Sequence, residues 1–280
     1  MDLLQKLEKY SVESSKIDKD LFEKYNVKRG LRNQDGSGVL VGLTNIGDVV
    51  GYLREDDKIL PCDGHLYYRG LDVNDIVQGF QKDKRHGFDE TIFLLLTGKM
   101  PDQNELIEFT NYMASLRDLP PYFTKNMLLS LRGQDIMNML ARSVLVMYTT
   151  DEDPESKQHS VLLSQCLDLI AKFPVFAVYS YFGMRHSYQR KSLIIRHPEP
   201  ELSTAENFVY MLKGEKYTKL EADIMDLCLV LHAEHGGGNN SSFTTRVVSS
   251  SGTDTYSAIS SAIGSLKGPL HGGANIEVER

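Results

Sequence analysis

A chain of 280 residues, 41% hydrophobic and 25% charged, has the composition of a soluble globular protein and the length to bury a substantial core as one large domain or two small ones. A net charge of −7 argues against nucleic acid as a main partner, since phosphate binding needs a basic surface, and admits an acidic substrate only where cations gather in a pocket. No uninterrupted run reaches the ~18 apolar residues of a membrane span, so no membrane is expected. The N-terminus, MDLLQKLEKYSVESSK, mixes acids with bases and has no apolar stretch before a cleavage site, which speaks against secretory or organellar targeting. Cys62, Cys166 and Cys228 are widely spaced in apolar contexts, so buried, reduced thiols in a cytoplasmic setting are expected.

The chain opens with Leu3, Leu4 and Leu7 at helical spacing and continues through charged residues to Tyr25, which predicts one or two amphipathic helices. From Gly36 to Leu53, β-branched residues alternate with glycines and predict short strands or irregular loops; Asp63-Gly64 reads as a turn beside an extended Leu66, Tyr67 and Tyr68. From Asp72 the pattern is helical almost throughout. A helix over Phe88–Leu96 closes at Gly98, and an amphipathic helix over 102–116 carries Leu106, Phe109, Met113 and Leu116 on one face. Pro120-Pro121 breaks it; helix resumes over 125–132 and 135–147, and Pro154 is expected to begin the next one. Residues 161–181 read as a buried helix that Pro174 kinks or divides, and 185–200 as an exposed connection. Ser203 and Glu206 form the S-x-x-E pattern of a capping box. Residues 221–232 are apolar on nearly all sides, as a helix at the centre of a bundle would be, and 255–266 is helical with many small residues. The predicted fold is all-α, with minor β structure near residues 36–68.

Chemistry concentrates in two places. His232 and His235 stand on one helix face ahead of Gly236–Asn240, and His271 sits in GPLHGGAN, directly after the stop signal Lys267, Gly268 and Pro269. The histidine pair admits a metal reading, but it lacks the HExxH form and has only Glu234 nearby. The glycines admit a phosphate cradle, without the Lys-Ser/Thr of a Walker loop. More plausibly they open a concave site in which His235, Asn239 and Ser241 hydrogen-bond a small polar ligand, with Arg246 either adding a cation or lying on a helix surface. If a helix starts at Ala274, its positive end holds the His271 imidazole neutral, able to donate to a carbonyl. The alternative for His271 is an ordinary helix–helix turn.

GPLHGGAN, together with LHAEHGGGNNSSFTTRVVSSSGTDTYSAISSAIGSLK before it, resembles the active-site region of citrate synthases. The likeness extends upstream through LPCDGHLYYRGLDVNDIV and FDETIFLLLTGKMPDQNELIEF and covers roughly residues 35 to 280. It implies a helical bundle of the citrate synthase large-domain type over 35–280, preceded by an N-terminal helical extension over 1–34. It further implies that His271 polarises the acetyl-CoA thioester carbonyl, that His235, Asn239 and Ser241 meet oxaloacetate, and that Leu270, Gly272 and Asn275 lie on the coenzyme A side. The substrates would be oxaloacetate and acetyl-CoA, or propionyl-CoA for a 2-methylcitrate synthase; no metal or redox cofactor and a homodimer are implied. Two departures stand out. Gly236 replaces the glutamate that often follows the first active-site histidine, and the sequence ends before the family's second catalytic histidine, its aspartate base and its arginine clamps. The expectation is therefore a truncated chain, without the small domain and C-terminal segment, that is inactive by itself; a non-catalytic helical dimerisation module is the rival from another class.

Overall fold

Strand- and turn-forming residues give way to helix formers after Asp72, and the computed structural model follows that division. It describes residues 18–25, 28, 30–33, 38–39, 43–55, 58–120 and 122–271. Backbone packing separates the chain after Leu43. In the first unit a short helix, α1 (Lys19–Lys24), starts where the Asp18 carboxylate accepts from the Asp20 N–H at 3.1 Å, and Arg32 pairs with Gly38 in an isolated bridge. The helix expected around Leu3, Leu4 and Leu7 lies outside the described residues.

The second unit opens with an antiparallel sheet of β1 (Gly47–Glu55), β2 (Lys58–Tyr68) and β3 (Leu71–Asp72), in that order. Asp63-Gly64 is not the turn its composition suggests. Val50 pairs with His65 and Tyr52 with Pro61, so the two residues fall in a bulge of β2, where a glycine accommodates the register shift. Helices follow: α2 (Val73–Lys82), α3 (Phe88–Thr97), α4 (Gln103–Ser115), a π-helical turn at Thr124–Leu129, α5 (Ile136–Met147), α6 (His159–Gln189), α7 (Thr204–Lys213), α8 (Lys219–Leu231), α9 (Asn240–Ser249) and α10 (Thr255–Lys267). The fold is all-α apart from the small sheet. Local chemistry sets the helix ends. Gly98 closes α3 at φ 81°, and Asp102, Ser203 and Thr218 each form a full capping box with a glutamate three residues on.

Of three apolar clusters among the described residues, two bear on the site. The larger gathers Val144 of α5, Val175, Phe176 and Tyr179 of α6, Met211 of α7 and Ile263 of α10. The smaller joins sheet to helices through Tyr68, Val73, Ile76, Phe80, Leu94 and Val230. By length and composition α6 suffices to cross a membrane, which the absence of an uninterrupted apolar run had concealed. It is instead the core helix, with Lys172 buried, paired to Asp168 and donating to the Leu116 carbonyl at 2.8 Å. Pro174 does not divide it; an interior proline costs about 3 kcal/mol, which the burial of its neighbours Val175 and Phe176 offsets. Pro154 does not begin it either, because a turn closed by Ser156 N–H to Asp153 C=O intervenes before His159.

Three further expectations change. The connection after α6 is not a free surface strap: α6 continues to Gln189, Leu193, Ile194 and Ile195 pack against the large cluster, and Arg196 donates to the Met211 carbonyl at 2.9 Å. Helix α8 is not central. It buries one row, Ala222, Asp226 and Val230, and leaves Leu220 66% and Ile224 52% exposed. Nor are the cysteines uniformly buried: all three are free, Cys228 is exposed, and Cys62 and Cys166 are half-buried.

His86, ahead of α3, joins three elements. Its Nε2 lies 3.2 Å from Asp223 of α8, and its Nδ1 lies 3.0 Å from the Ser203 hydroxyl and 3.6 Å from Glu206 at the start of α7. Glu206 raises the imidazole pKa against the pull of burial, and the imidazole holds Glu206 down to about 2. With a raised folded value, the imidazole's contribution to stability is complete below its unfolded value of about 6.5 and is lost as pH rises through the folded value. Glu206 behaves oppositely: its contribution is complete above about 4.3 and is lost as pH falls towards its folded value. His86→Gln should therefore cost about 1–3 kcal/mol at pH 6 and much less at pH 9, read from thermal unfolding midpoints against the parent chain. A difference that does not change with pH would show that the contact is not ionic.

Candidate active site

The His232–Asn240 loop begins where α8 docks on the sheet. Tyr68 has no exposed surface, and its hydroxyl donates to the Val230 carbonyl at 2.6 Å, in the last turn of α8. Burial raises the phenol above its ordinary pKa, and the nearby Glu234 carboxylate adds to that. The Glu234 carboxylate accepts the Gly236 N–H at 2.5 Å and packs against Gly47, where a Cβ would overlap the Glu234 side chain. His232 caps its own helix, with Nδ1 2.7 Å from the Cys228 carbonyl.

His235, Asn239 and Ser241 come together as the sequence suggested. Asn239 is the N-cap of α9: its Oδ1 accepts the Ser241 N–H at 2.7 Å and contacts the Ser241 hydroxyl, while its Nδ2 meets the His235 Nε2. His235 is exposed, so its ring stands at the surface of the loop with one edge held. The two histidines thus have separate partners rather than a common point, and among the described residues no group of three or more His, Cys, Asp or Glu is placed to hold a metal. The phosphate-cradle reading also weakens, because the capping carboxamide already takes an N–H of the α9 terminus. Arg246 is exposed, but its guanidinium reaches back over the glycines: a Cβ on Gly237 would lie 3.7 Å from its Nη2.

Helix α10 brings the second histidine region towards this loop. It runs antiparallel to α9, and the Asn240 carboxamide donates to the Ser265 carbonyl at 3.0 Å, which ties the start of α9 to the last turns of α10. Lys267 pairs with Asp135 at 3.0 Å and fixes the same end to the start of α5. Burial works to raise the Asp135 pKa, but the Asn138 N–H and Lys267 together hold it below the usual range. Gly268 is extended at φ −63° and ψ 147°, as a residue preceding proline must be, so Pro269 stops the helix rather than a left-handed glycine. His271 follows, exposed in a turn, its N–H donating to the Gly268 carbonyl at 3.0 Å; Leu270 is fully exposed. Among the described residues no hydrogen bond joins His271 to the His235 cluster. Gly272, Asn275 and the helix expected from Ala274 lie outside the described residues.

The site can orient a polar ligand through His235, Asn239 and Ser241 and present a second imidazole from the end of α10. Sequence reading missed Asn240, Tyr68 and Glu234 as builders of this arrangement. Strand alternation was the available signal for Tyr68, since an inward residue in β2 must face the helices.

Comparison with known proteins accords with this picture. The family model described as citrate synthase, C-terminal domain, matches residues 35–280. A citrate synthase of Haloferax volcanii is 36% identical over 239 residues, covering 82% of this chain and 59% of the relative. 2-Methylcitrate synthase 2 of Corynebacterium glutamicum is 34% identical over 223 residues, covering 78% of this chain and 55% of the relative. The crystal structure of citrate synthase from Pyrobaculum aerophilum superposes with a TM-score of 0.69 at 28% identity, covering 88% of this chain and 59% of that one. The chain thus spans little more than half the length of these relatives. A family match over most of the sequence and a helical fold shared with a solved member lead to one conclusion: the chain belongs to the citrate synthase family.

Proposed function

We propose that this chain supplies the oxaloacetate-orienting and thioester-polarising groups of a citrate synthase reaction. The observation that carries the reading is the His235–Asn239 pair at the start of α9, tethered through Asn240 to the end of α10 from which His271 projects. In the reaction, a base removes a methyl proton from acetyl-CoA, the resulting enolate carbon adds to the ketone of oxaloacetate, and water cleaves the thioester to give citrate and CoA. His271 donates a hydrogen bond to the oxygen on which enolate charge develops, a contribution typical of oxyanion donors. His235, with Asn239 and Ser241, orients oxaloacetate, while the family resemblance assigns Leu270, Gly272 and Asn275 to the coenzyme A side. The reading invokes no cofactor beyond the CoA of the substrate, and a reducing, cytoplasmic setting suits the three free thiols. Propionyl-CoA in place of acetyl-CoA is the second reading, favoured by 2-methylcitrate synthases among relatives of similar identity.

The described loop supplies orienting groups rather than a base: Glu234, its adjacent carboxylate, is engaged by the Gly236 N–H. The 280-residue chain alone should therefore show no thiol release dependent on both substrates, since a positioned base contributes about 10²–10⁴-fold. Measurable turnover by this chain would overturn that division of roles. In an enzyme joining this sequence to the part of its relatives that it does not span, His271→Ala should lower turnover by roughly 10²–10³-fold with the fold intact. Turnover within a few-fold of the parent would remove His271 from the chemistry.

A homodimer completes the proposal. Leu220, Ile224 and Leu231, at helical spacing on α8, form an exposed apolar row of the kind that marks interfaces, and a two-fold axis lets such a patch meet its own copy. Three small residues of α10 serve inside the subunit: Ala258 and Ala262 are buried, and Ser260 donates to the Ala141 carbonyl of α5 at 2.9 Å. Sedimentation at micromolar concentration should give the mass of two chains, and Ile224→Glu should shift it to one. A folded parent monomer at that concentration would refute the interface.

A further inference from the structure

We propose that Glu234 and Tyr68 are positioning residues for His235, and that the β-sheet, through them, sets where the imidazole meets its ligand; this rests on the reading of His235 as the group that orients the oxoacid. The loop carrying His235 is rich in glycine, and a glycine-rich segment does not hold a side chain in place by its own backbone preferences. Two contacts from outside compensate. At the loop's entrance, the Tyr68 hydroxyl donates to the Val230 carbonyl, and both residues have no exposed surface, so the end of α8 is pinned to β2 inside the smaller core.

One residue before His235, Glu234 folds back to accept the Gly236 N–H, one residue after it. The residues on either side of His235 are thus tied into a single small ring, Glu234 by its carboxylate and Gly236 by its backbone N–H. Gly236 takes φ 100°, in the left-handed region, so the turn depends on that residue being glycine and on an acceptor for its N–H. Glu234 lies against Gly47, at the first position of β1, where a Cβ would overlap it. The sheet therefore serves as the wall against which the Glu234 turn closes. On its far side the imidazole is met by Asn239, itself fixed as the cap of α9. With these contacts made, the backbone on both sides of His235 and one edge of its ring are held.

The test uses the 280-residue chain without substrate and reads the His235 ring nitrogens by long-range proton–nitrogen correlation. Glu234→Ala should move the His235 resonances and leave those of His86, in another part of the fold, unchanged. Glu234→Gln should restore them, because its carboxamide oxygen still accepts the Gly236 N–H. Gly47→Ala should move them as Glu234→Ala does, from the sheet side. Tyr68→Phe should speed exchange of the Gly236 amide by about tenfold while amides in α10 keep their rates. Unmoved His235 resonances in Glu234→Ala, or equal shifts in the Ala and Gln variants, would overturn the positioning role. No substrate enters these measurements, so their failure removes the positioning and leaves the reaction assignment standing.

Discussion

The buried carboxylate of Asp226 is the contact on which the second unit depends. It is 1% exposed, and its two oxygens accept the N–H groups of Gly87 and Phe88 at 2.7 and 3.0 Å. Helix α3 has no side-chain cap of its own, since Gly87 occupies the N-cap, so a residue of α8 caps it from across the core. Burial raises the Asp226 pKa, the two N–H groups oppose that rise, and the positive end of α3 favours the charged form. Glycine is required at position 87 because a Cβ would overlap the Phe80 ring. One carboxylate thereby sets the start of α3 and the depth of α8, and the depth of α8 sets where the His232–Asn240 loop emerges.

Other buried polar groups extend the same logic. Arg117, 5% exposed, donates to the carbonyls of Glu199 and Leu202, and Asn207 donates to the same two carbonyls while accepting the Glu199 N–H. These bonds satisfy the backbone of the connection between α6 and α7, which has no regular structure to do so. Its order therefore comes from side chains distant in sequence. Composition alone, basic and proline-flanked, made it look like surface.

What was legible in the sequence was local. Helix periodicity, the Ser203–Glu206 box, the Gly98 stop and the Pro269 stop all act within a few residues, and each placed an element end. What was not legible depends on partners far along the chain. The Asp63-Gly64 pair obeys the ladder imposed by β1 rather than its own turn preference, and Pro154 yields to a turn closed by its neighbours. Helix α8 has an apolar composition that reads as central, yet contact with α7, α3 and β2 decides which row is buried. For the site, the grouping of His235 with Asn239 follows from spacing and from the family resemblance. The roles of Tyr68 and Asn240 require the fold, because the bonds run to Val230 and Ser265.

The site's polarity follows from how α9 begins. A free helix N-terminus offers several unpaired N–H groups and favours an anion such as phosphate. Here Asn239 turns its carboxamide oxygen onto the Ser241 N–H and hydroxyl, leaving the nitrogen side of the same amide towards His235. The terminus is thus partly satisfied from within, and what it presents outward is a neutral amide and an imidazole. Such a pair suits a ligand whose orientation is decided by carbonyl and hydroxyl hydrogen bonds more than by net charge. The Arg246 guanidinium lies beside Gly237, apart from this pair, so charge and hydrogen-bonding groups at the loop come from different residues.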